Sequence, residues 1–226
     1  DFLIKCAAAG ARIITGGEPG AGKTTLINAW LKEIPGNLRI VVMQDSVEIK
    51  PPNGNTVMLR TRESMSEEEK SIELEDLVKS SLRKNTVVPV VGEVRGPEAS
   101  LLLRIYATGS KWGITSIHAC SAEDVVHQAC FLVKMSGDYT ASLARRDLEE
   151  LFYRAFDLVI YMDKRKIIEI SEVMYDYGRE RAYLHPLFTL NVTRYADDNI
   201  EGVFEEFHGF PPGSRIRECF RKRELL

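Results

Sequence analysis

No stretch of this 226-residue chain approaches the roughly 18 consecutive apolar residues that span a bilayer, so any membrane association is expected to be peripheral. The most apolar run is the short Val87 to Val91. Cysteine is sparse: Cys6, Cys120, Cys130 and Cys219 form no C-x-x-C pair, which disfavours a zinc knuckle or a disulfide scaffold and fits a reducing, cytoplasmic compartment. His127, His185 and His208 keep no metal-ligand spacing. A charge excess is missing too. The 30 Lys and Arg against 33 Asp and Glu give a net charge of -3, which speaks against a generally basic nucleic-acid binder, and no direct nucleic-acid contact is expected. There is no internal repeat and no low-complexity tract. At 44% hydrophobic and 28% charged residues the composition is that of an ordinary globular protein, long enough for one large domain with a sizeable core.

What is present is an alternation of short apolar runs with longer amphipathic stretches, the pattern of an α/β domain with a mostly parallel sheet covered by helices. Strands are expected at Arg12–Thr15, Arg39–Met43, Thr56–Leu59, in the run ending Val90-Val91, and at Gly113–His118. Helices are expected from Lys23 to Glu33, from the acidic start Ser66 to Glu69 through Ile72, Leu74, Leu77, Val78 and Leu82, and over Pro97–Ala107, Ala122–Lys134 and Ser142–Ala155. Beyond Asp157, strand-like runs follow at Leu158–Met162, Lys166–Met174 and Arg181–Phe188. These divide a single domain, 1–226, into a core of about 9–163 and a strand-and-tail extension of about 164–226. The basic end, Arg215, Arg217, Arg221, Lys222 and Arg223, reads as a solvated surface or subunit contact.

The most specific signal is Gly17-Glu18-Pro19-Gly20-Ala21-Gly22-Lys23-Thr24, a complete match to G-x-x-x-x-G-K-[ST] between an expected strand and an expected helix. Glycines let the backbone curl so that successive amides face phosphate oxygens, and the helix start adds its positive end. Lys23 is placed for β and γ phosphates, Thr24 for Mg²⁺, and Thr25 for a further phosphate contact. ATP and Mg²⁺ are therefore the expected ligands. Two further strands end in carboxylates, at Gln44-Asp45-Ser46-Val47-Glu48 and at Gly92-Glu93-Val94-Arg95-Gly96. Residues just past the carboxyl ends of parallel strands gather in one crevice. One such carboxylate can take a proton from water and another can organise Mg²⁺ through its water shell. His118 closes another strand and points to the same edge.

In this order the motifs resemble the ATPases of type II and type IV secretion systems, most closely the CpaF-like ATPases of Tad/Flp pilus assembly. The likeness covers about Ala9 to Met174 and is sharpest at Gly92-Glu93-Val94-Arg95-Gly96-Pro97-Glu98-Ala99. It implies a RecA-like P-loop ATPase fold, with Gly17–Thr24 as Walker A, Glu48 as the base for water, Glu93 as the Walker B carboxylate near Mg²⁺, and His118 facing the γ phosphate. It also implies phosphate or subunit contacts for Arg62 and Arg83; Arg95 and Arg104 match the pattern too, but structural ion pairing is expected for Arg104. The implied assembly is a homohexamer, peripheral at the inner face of the cytoplasmic membrane, driving pilus assembly or protein secretion through a membrane platform protein. Conjugative transfer and a nucleotide-binding switch with little turnover are the alternatives. The family's separate N-terminal domain has no counterpart here, so the chain is expected to be the catalytic part of a longer subunit. Gln44 stands where the family usually has Glu, Ser110 where His is common, and Cys120 where Asn follows the His-Ala pair.

Overall fold

A computed structural model describes residues 1–51, 54–64, 70–196 and 199–226. Short apolar runs become strands and the amphipathic stretches become helices. In chain order these are α1 (Phe2–Ala9), β1 (Arg12–Gly16), α2 (Lys23–Lys32), β2 (Ile40–Gln44), β3 (Thr56–Arg60), α3 (Leu74–Ser81), β4 (Val88–Val91), α4 (Glu98–Thr108) and β5 (Gly113–Ile117). There follow α5 (Ala122–Met135), a 3-10 turn (Tyr139–Ser142), α6 (Arg145–Ala155), β6 (Leu158–Asp163), β7 (Lys166–Asp176), β8 (Arg181–Tyr195), β9 (Ile200–Phe204) and α7 (Arg215–Lys222).

The strands form one sheet in the order β3-β2-β4-β5-β1-β6-β7-β8-β9. From β3 to β6 every pairing is parallel, and from β6 to β9 every pairing is antiparallel. Period-two alternation in the parallel part feeds two cores. Ile14, Val41, Met43 and Val91 pack under α3 to α6 with Leu103, Tyr106 and Phe152, while Ile13, Ile40, Val42 and Val90 pack under α1, α2 and α7 with Trp30 and Phe220. Both faces being covered, these strands read as continuous apolar runs.

The helix expected from Ser66 begins later. Ser66 to Glu69 lie outside the described residues, and Ile72 is held in an antiparallel bridge to Arg62. The helix α3 starts at Leu74, where Glu73 and Asp76 close a reciprocal capping box. Leu74, Leu77 and Val78 are buried as expected, while Ile72 and Leu82 are exposed. Pro89, at the second residue of β4, sits inside a strand paired on both sides. Val88 donates its amide to the Arg39 carbonyl just before β2, and Gly92 to Met43 of β2, so by alternation the missing Pro89 amide faces β5, whose pairing with β4 begins only at Val90. The Pro89 carbonyl accepts from Tyr106 Oη at 2.9 Å.

The basic end is not simply solvated. Ile216 and Phe220 of α7 are buried, and Arg215 lies over the Tyr153 ring at 4.2 Å while its Nη2 donates to the Phe156 carbonyl at 2.5 Å. Arg104 lies over the Tyr139 ring at 5.4 Å and has no ion pair among the described residues. The β6–β7 turn places Lys164 at φ 42° and Arg165 at φ 64°. Left-handed backbone of this kind costs non-glycine residues roughly 1–2 kcal/mol each.

Candidate functional site

Four adjacent strands, β2, β4, β5 and β1, end at one edge of the sheet, and their following residues line an open cleft of about 740 Å³. The Gly17–Thr24 loop forms its floor. Gly17 has φ 154°, and a Cβ there would stand 2.4 Å from the Met162 carbonyl oxygen. Gly22 has φ 95° and caps α2 in the left-handed region. Both positions therefore require glycine, and the turn they allow points the α2 amino terminus into the cleft. Lys23 Nζ donates to the carbonyls of Gly17 at 2.6 Å and Glu18 at 3.1 Å, and its nearest carboxylate, Glu93, is 3.8 Å away. Burial pushes its ammonium pKa down; Glu93 offsets part of this and Arg95 adds to it. A buried cation with so distant a carboxylate gains strongly from an incoming anion.

Glu48 is held from several directions. Its Oε2 accepts from Thr24 Oγ1 at 3.2 Å, and its carbonyl accepts from Asn28 Nδ2 at 3.0 Å. The loop that carries it is fixed by Gln44, buried at the end of β2, whose Oε1 accepts from the amides of Glu48 at 3.1 Å and Ile49 at 2.9 Å and whose Nε2 donates to the Ile49 carbonyl at 3.3 Å. A carboxylate at 44 would accept the same amides yet could not make the third bond, and it would bury a charge. Here Gln44 is the group that ties the Glu48-bearing loop to the sheet.

Glu93 follows β4 and is mostly buried. His118 Nε2 meets Glu93 Oε1 at 2.9 Å, and Lys23 Nζ lies 3.3 Å from His118 Nδ1. Because an ammonium can only donate, Nδ1 accepts, and the proton assigned by this network sits on Nε2, facing Glu93. Arg95 pairs with Glu93 and lies 3.9 Å from Asp45. The turn beneath is built by Glu98, whose buried Oε1 accepts from the amides of Arg95 at 2.7 Å and Gly96 at 2.9 Å. Ser116 Oγ donates to the Gly92 carbonyl at 2.7 Å.

Of the residues singled out from sequence, Glu18 to Thr25, Glu48, Glu93 and His118 line this cleft, with Gly17 just beneath it. Arg62 and Arg83 are exposed and lie outside it within one chain. Sequence reasoning missed the positioning work of Gln44, Asn28 and Glu98. The signals were there: Asn28 lies four residues after Thr24 on the same helix face, and Glu98 follows Gly96-Pro97 as a first-turn acid. It also missed Met162, Arg165 and Ile167 of the β6–β7 turn, which line the cleft from the far side of β1.

A sequence model described as type II/IV secretion system protein (T2SSE) matches residues 4–145. The chain is 39% identical over 226 residues to the uncharacterized protein MJ1287 of Methanocaldococcus jannaschii, covering 95% of this chain and 80% of that one. It is 32% identical over 166 residues to the type IV secretion system protein PtlH of Bordetella pertussis, covering 73% of this chain and 49% of PtlH. Among solved structures, the VirB11 ATPase of the Brucella suis type IV secretion system, in complex with sulphate, is similar with a TM-score of 0.62 at 25% identity, over 81% of this chain and 49% of that one. The pilus retraction motor PilT shares the fold at a TM-score of 0.51 and 17% identity, over 99% of this chain and 53% of that one. The chain thus spans about half the length of PtlH and of these solved structures. With the match covering well over half of its residues, the chain belongs to the type II/IV secretion system protein family, which includes secretion ATPases.

Proposed function

We propose that this chain is a RecA-like P-loop ATPase domain that hydrolyses Mg-ATP to power secretion or pilus assembly. The observation that carries this reading is the gathering of Lys23, Glu48, Glu93 and His118 around the Gly17–Thr24 loop, at the carboxyl ends of adjacent parallel strands. The loop amides and Lys23 hold the β and γ phosphates. Glu48 takes a proton from water as its oxygen attacks the γ phosphorus, the bond to the bridging oxygen breaks, and ADP and inorganic phosphate leave. Gln44 and Thr24 keep Glu48 in place, and His118 links Lys23 to Glu93, so that a change at the phosphates reaches both strand ends.

Among the described residues no three His, Cys, Asp or Glu side chains form a cage for a metal. The Thr24 hydroxyl with the Glu93 carboxylate, the latter partly through water, is instead the sparse oxygen set that would suit Mg²⁺ when phosphates and waters supply the remaining ligands. Mg²⁺ held there would supply positive charge against the phosphate oxygens. Arg62 and Arg83, exposed and outside the cleft, are assigned to the site of a neighbouring subunit in a homohexamer, where an arginine supplied in trans steadies the developing charge. Among the described residues no helix is long and apolar enough to cross a membrane. The partner is assigned as a membrane platform protein, with the chain docked peripherally at the inner face of the cytoplasmic membrane, and the motif order favours the CpaF-like branch.

Steady-state Mg-ATPase activity of the intact natural protein tests the assignment. Lys23→Ala and Glu48→Gln are each expected to lower kcat by about 100-fold or more with little loss of thermal stability. Equal activity in wild type and both variants would sink it.

A further inference from the structure

Between β6 and β7 the chain turns on Lys164 and Arg165, both left-handed. Two-residue hairpin turns of this hand are usually made by Asn-Gly, Asp-Gly or Gly-Gly, which reach the region at little cost. Strain of this kind persists where surrounding contacts over-determine it, and it clusters at ligand clamps. Those contacts come from the β8–β9 ribbon. Tyr195 Oη donates to Asp163 Oδ2 at 2.5 Å, the Lys164 ammonium donates to the Ala196 carbonyl, and the same ammonium lies 3.6 Å from the centre of the Tyr195 ring. The turn is thus gripped by its Asp and its Lys. Arg165 is left over: it is exposed, it lines the cleft, and among the described residues its guanidinium has no hydrogen bond or ion pair. Its Cα lies 3.5 Å from where a Cβ on Gly22 would stand, so its backbone is set directly against the loop.

The side on which it stands decides what it meets. Glu48 and Glu93 follow β2 and β4 on one side of β1, and β6 flanks β1 on the other. On the ATP reading given above, on which this inference rests, a nucleotide whose γ phosphate faces those carboxylates runs its nucleoside toward β6. There Met162 and Ile167 offer apolar surface, joined by Leu26 and Ala29 of α2, and Arg165 adds a planar cation. Apolar walls with one planar cation suit a nucleobase ring better than a phosphate. We propose that Arg165 recognises the nucleoside of the bound nucleotide by stacking on its base, and that the Tyr195-Asp163-Lys164 clamp is the positioning device that holds it there.

Calorimetric titration of the intact protein with ATP and, separately, with inorganic tripolyphosphate tests this. Arg165→Asn keeps the fold, because Asn tolerates the left-handed region, so its Tm is expected to hold or rise. Its ATP affinity is expected to fall by about 10-fold, with tripolyphosphate affinity within about twofold of wild type. Arg165→Lys should recover only part of the loss, since Lys lacks the planar face. Tyr195→Phe should weaken ATP by roughly threefold, again sparing tripolyphosphate, because it frees the turn without touching the ligand. Equal loss of both ligands in Arg165→Asn would assign Arg165 to the phosphates and overturn the proposal, as would unchanged ATP affinity. Wild-type protein that binds neither ligand overturns the phosphate-site reading itself, whereas wild type that binds both alongside an unaltered Arg165→Asn overturns only the nucleoside assignment.

Discussion

At the amino end of β1, every nitrogen of Arg12 is engaged. Its Nε and Nη2 bind Asp157 at 2.9 and 2.7 Å, its backbone amide binds the same carboxylate at 2.9 Å, and its Nη1 reaches the carbonyls of Tyr106 and Arg154 at 2.8 and 2.7 Å. Arg215 adds a second cation 3.4 Å from Asp157. At the carboxyl end of the same strand, charges are equally dense but looser: Lys23 leans on loop carbonyls, the His118 side chain is 47% exposed, and Arg165 has no hydrogen bond or ion pair among the described residues. One end of the sheet is a closed, bidentate pin joining β1 to the segment before β6. The other is arranged to receive an anion. The difference teaches that charge density alone does not mark a site; unspent hydrogen-bonding capacity beside glycine-rich backbone does.

Breaking the pin is expected to have the largest effect on stability. Asp157→Ala leaves the half-buried Arg12 without its partner and is expected to destabilise by about 3–5 kcal/mol, lowering Tm by roughly 10 °C or more. Nucleotide affinity of the folded fraction, measured below the transition, is expected to be unchanged. A variant as stable as wild type would mean that solvent reaches the pin and that the contrast between the two ends is false. The opposite signature is expected at Gln44. Gln44→Ala removes three bonds to the Glu48–Ile49 segment, which should lower kcat by about 10- to 100-fold through misplacement of Glu48 while costing roughly 1–3 kcal/mol of stability. Gln44→Glu should fall between the two, since it keeps the acceptor and loses the donor. If Gln44→Ala alters Tm but not kcat, Gln44 belongs with the pin and not with the site.

Much of this was legible in the residues. The Gly17–Thr24 spacing placed the loop, and carboxylates at the ends of apolar runs placed Glu48 and Glu93, because parallel strands bring their carboxyl ends together whatever the strand order. The order itself was not legible, since local pattern carries no record of which strands become neighbours. Ile72 was misread because Ile72, Leu74, Leu77 and Val78 fit a helical period, and only the capping box at Glu73 and Asp76 decides that the helix begins after it. The role of Arg165 was invisible for a different reason. A Lys-Arg pair gives no turn signal, and its left-handed backbone depends on contacts with Tyr195 and Ala196, some 30 residues downstream. The pin at Arg12 and Asp157 is likewise long-range, and neither residue sits in a motif.

Asp138 tests whether the contrast holds for a charge that lies at neither end of the sheet. It caps the 3-10 turn after α5, accepting from Ser100 Oγ of α4 at 2.5 Å, Ser136 Oγ at 3.1 Å, the Thr140 amide at 2.9 Å and the Thr140 hydroxyl. Burial pushes its carboxyl up, but the hydrogen bonds from Ser100, Thr140 and Ser136 outweigh burial and hold it at about 2. Its pKa in the fold is thus below that in the unfolded chain, so the carboxylate stabilises the fold above about pH 4, and this contribution is lost as pH falls toward about 2. The side chain is exposed to solvent, so the contribution is screened to roughly 1 kcal/mol. Unfolding free energies of wild type and Asp138→Asn from urea titration should therefore differ by about that amount at pH 7 and converge near pH 2. A gap that persists undiminished at pH 2 would mean that the bonds and not the charge do the holding, which would set Asp138 with the pin, as a group valued for its saturation.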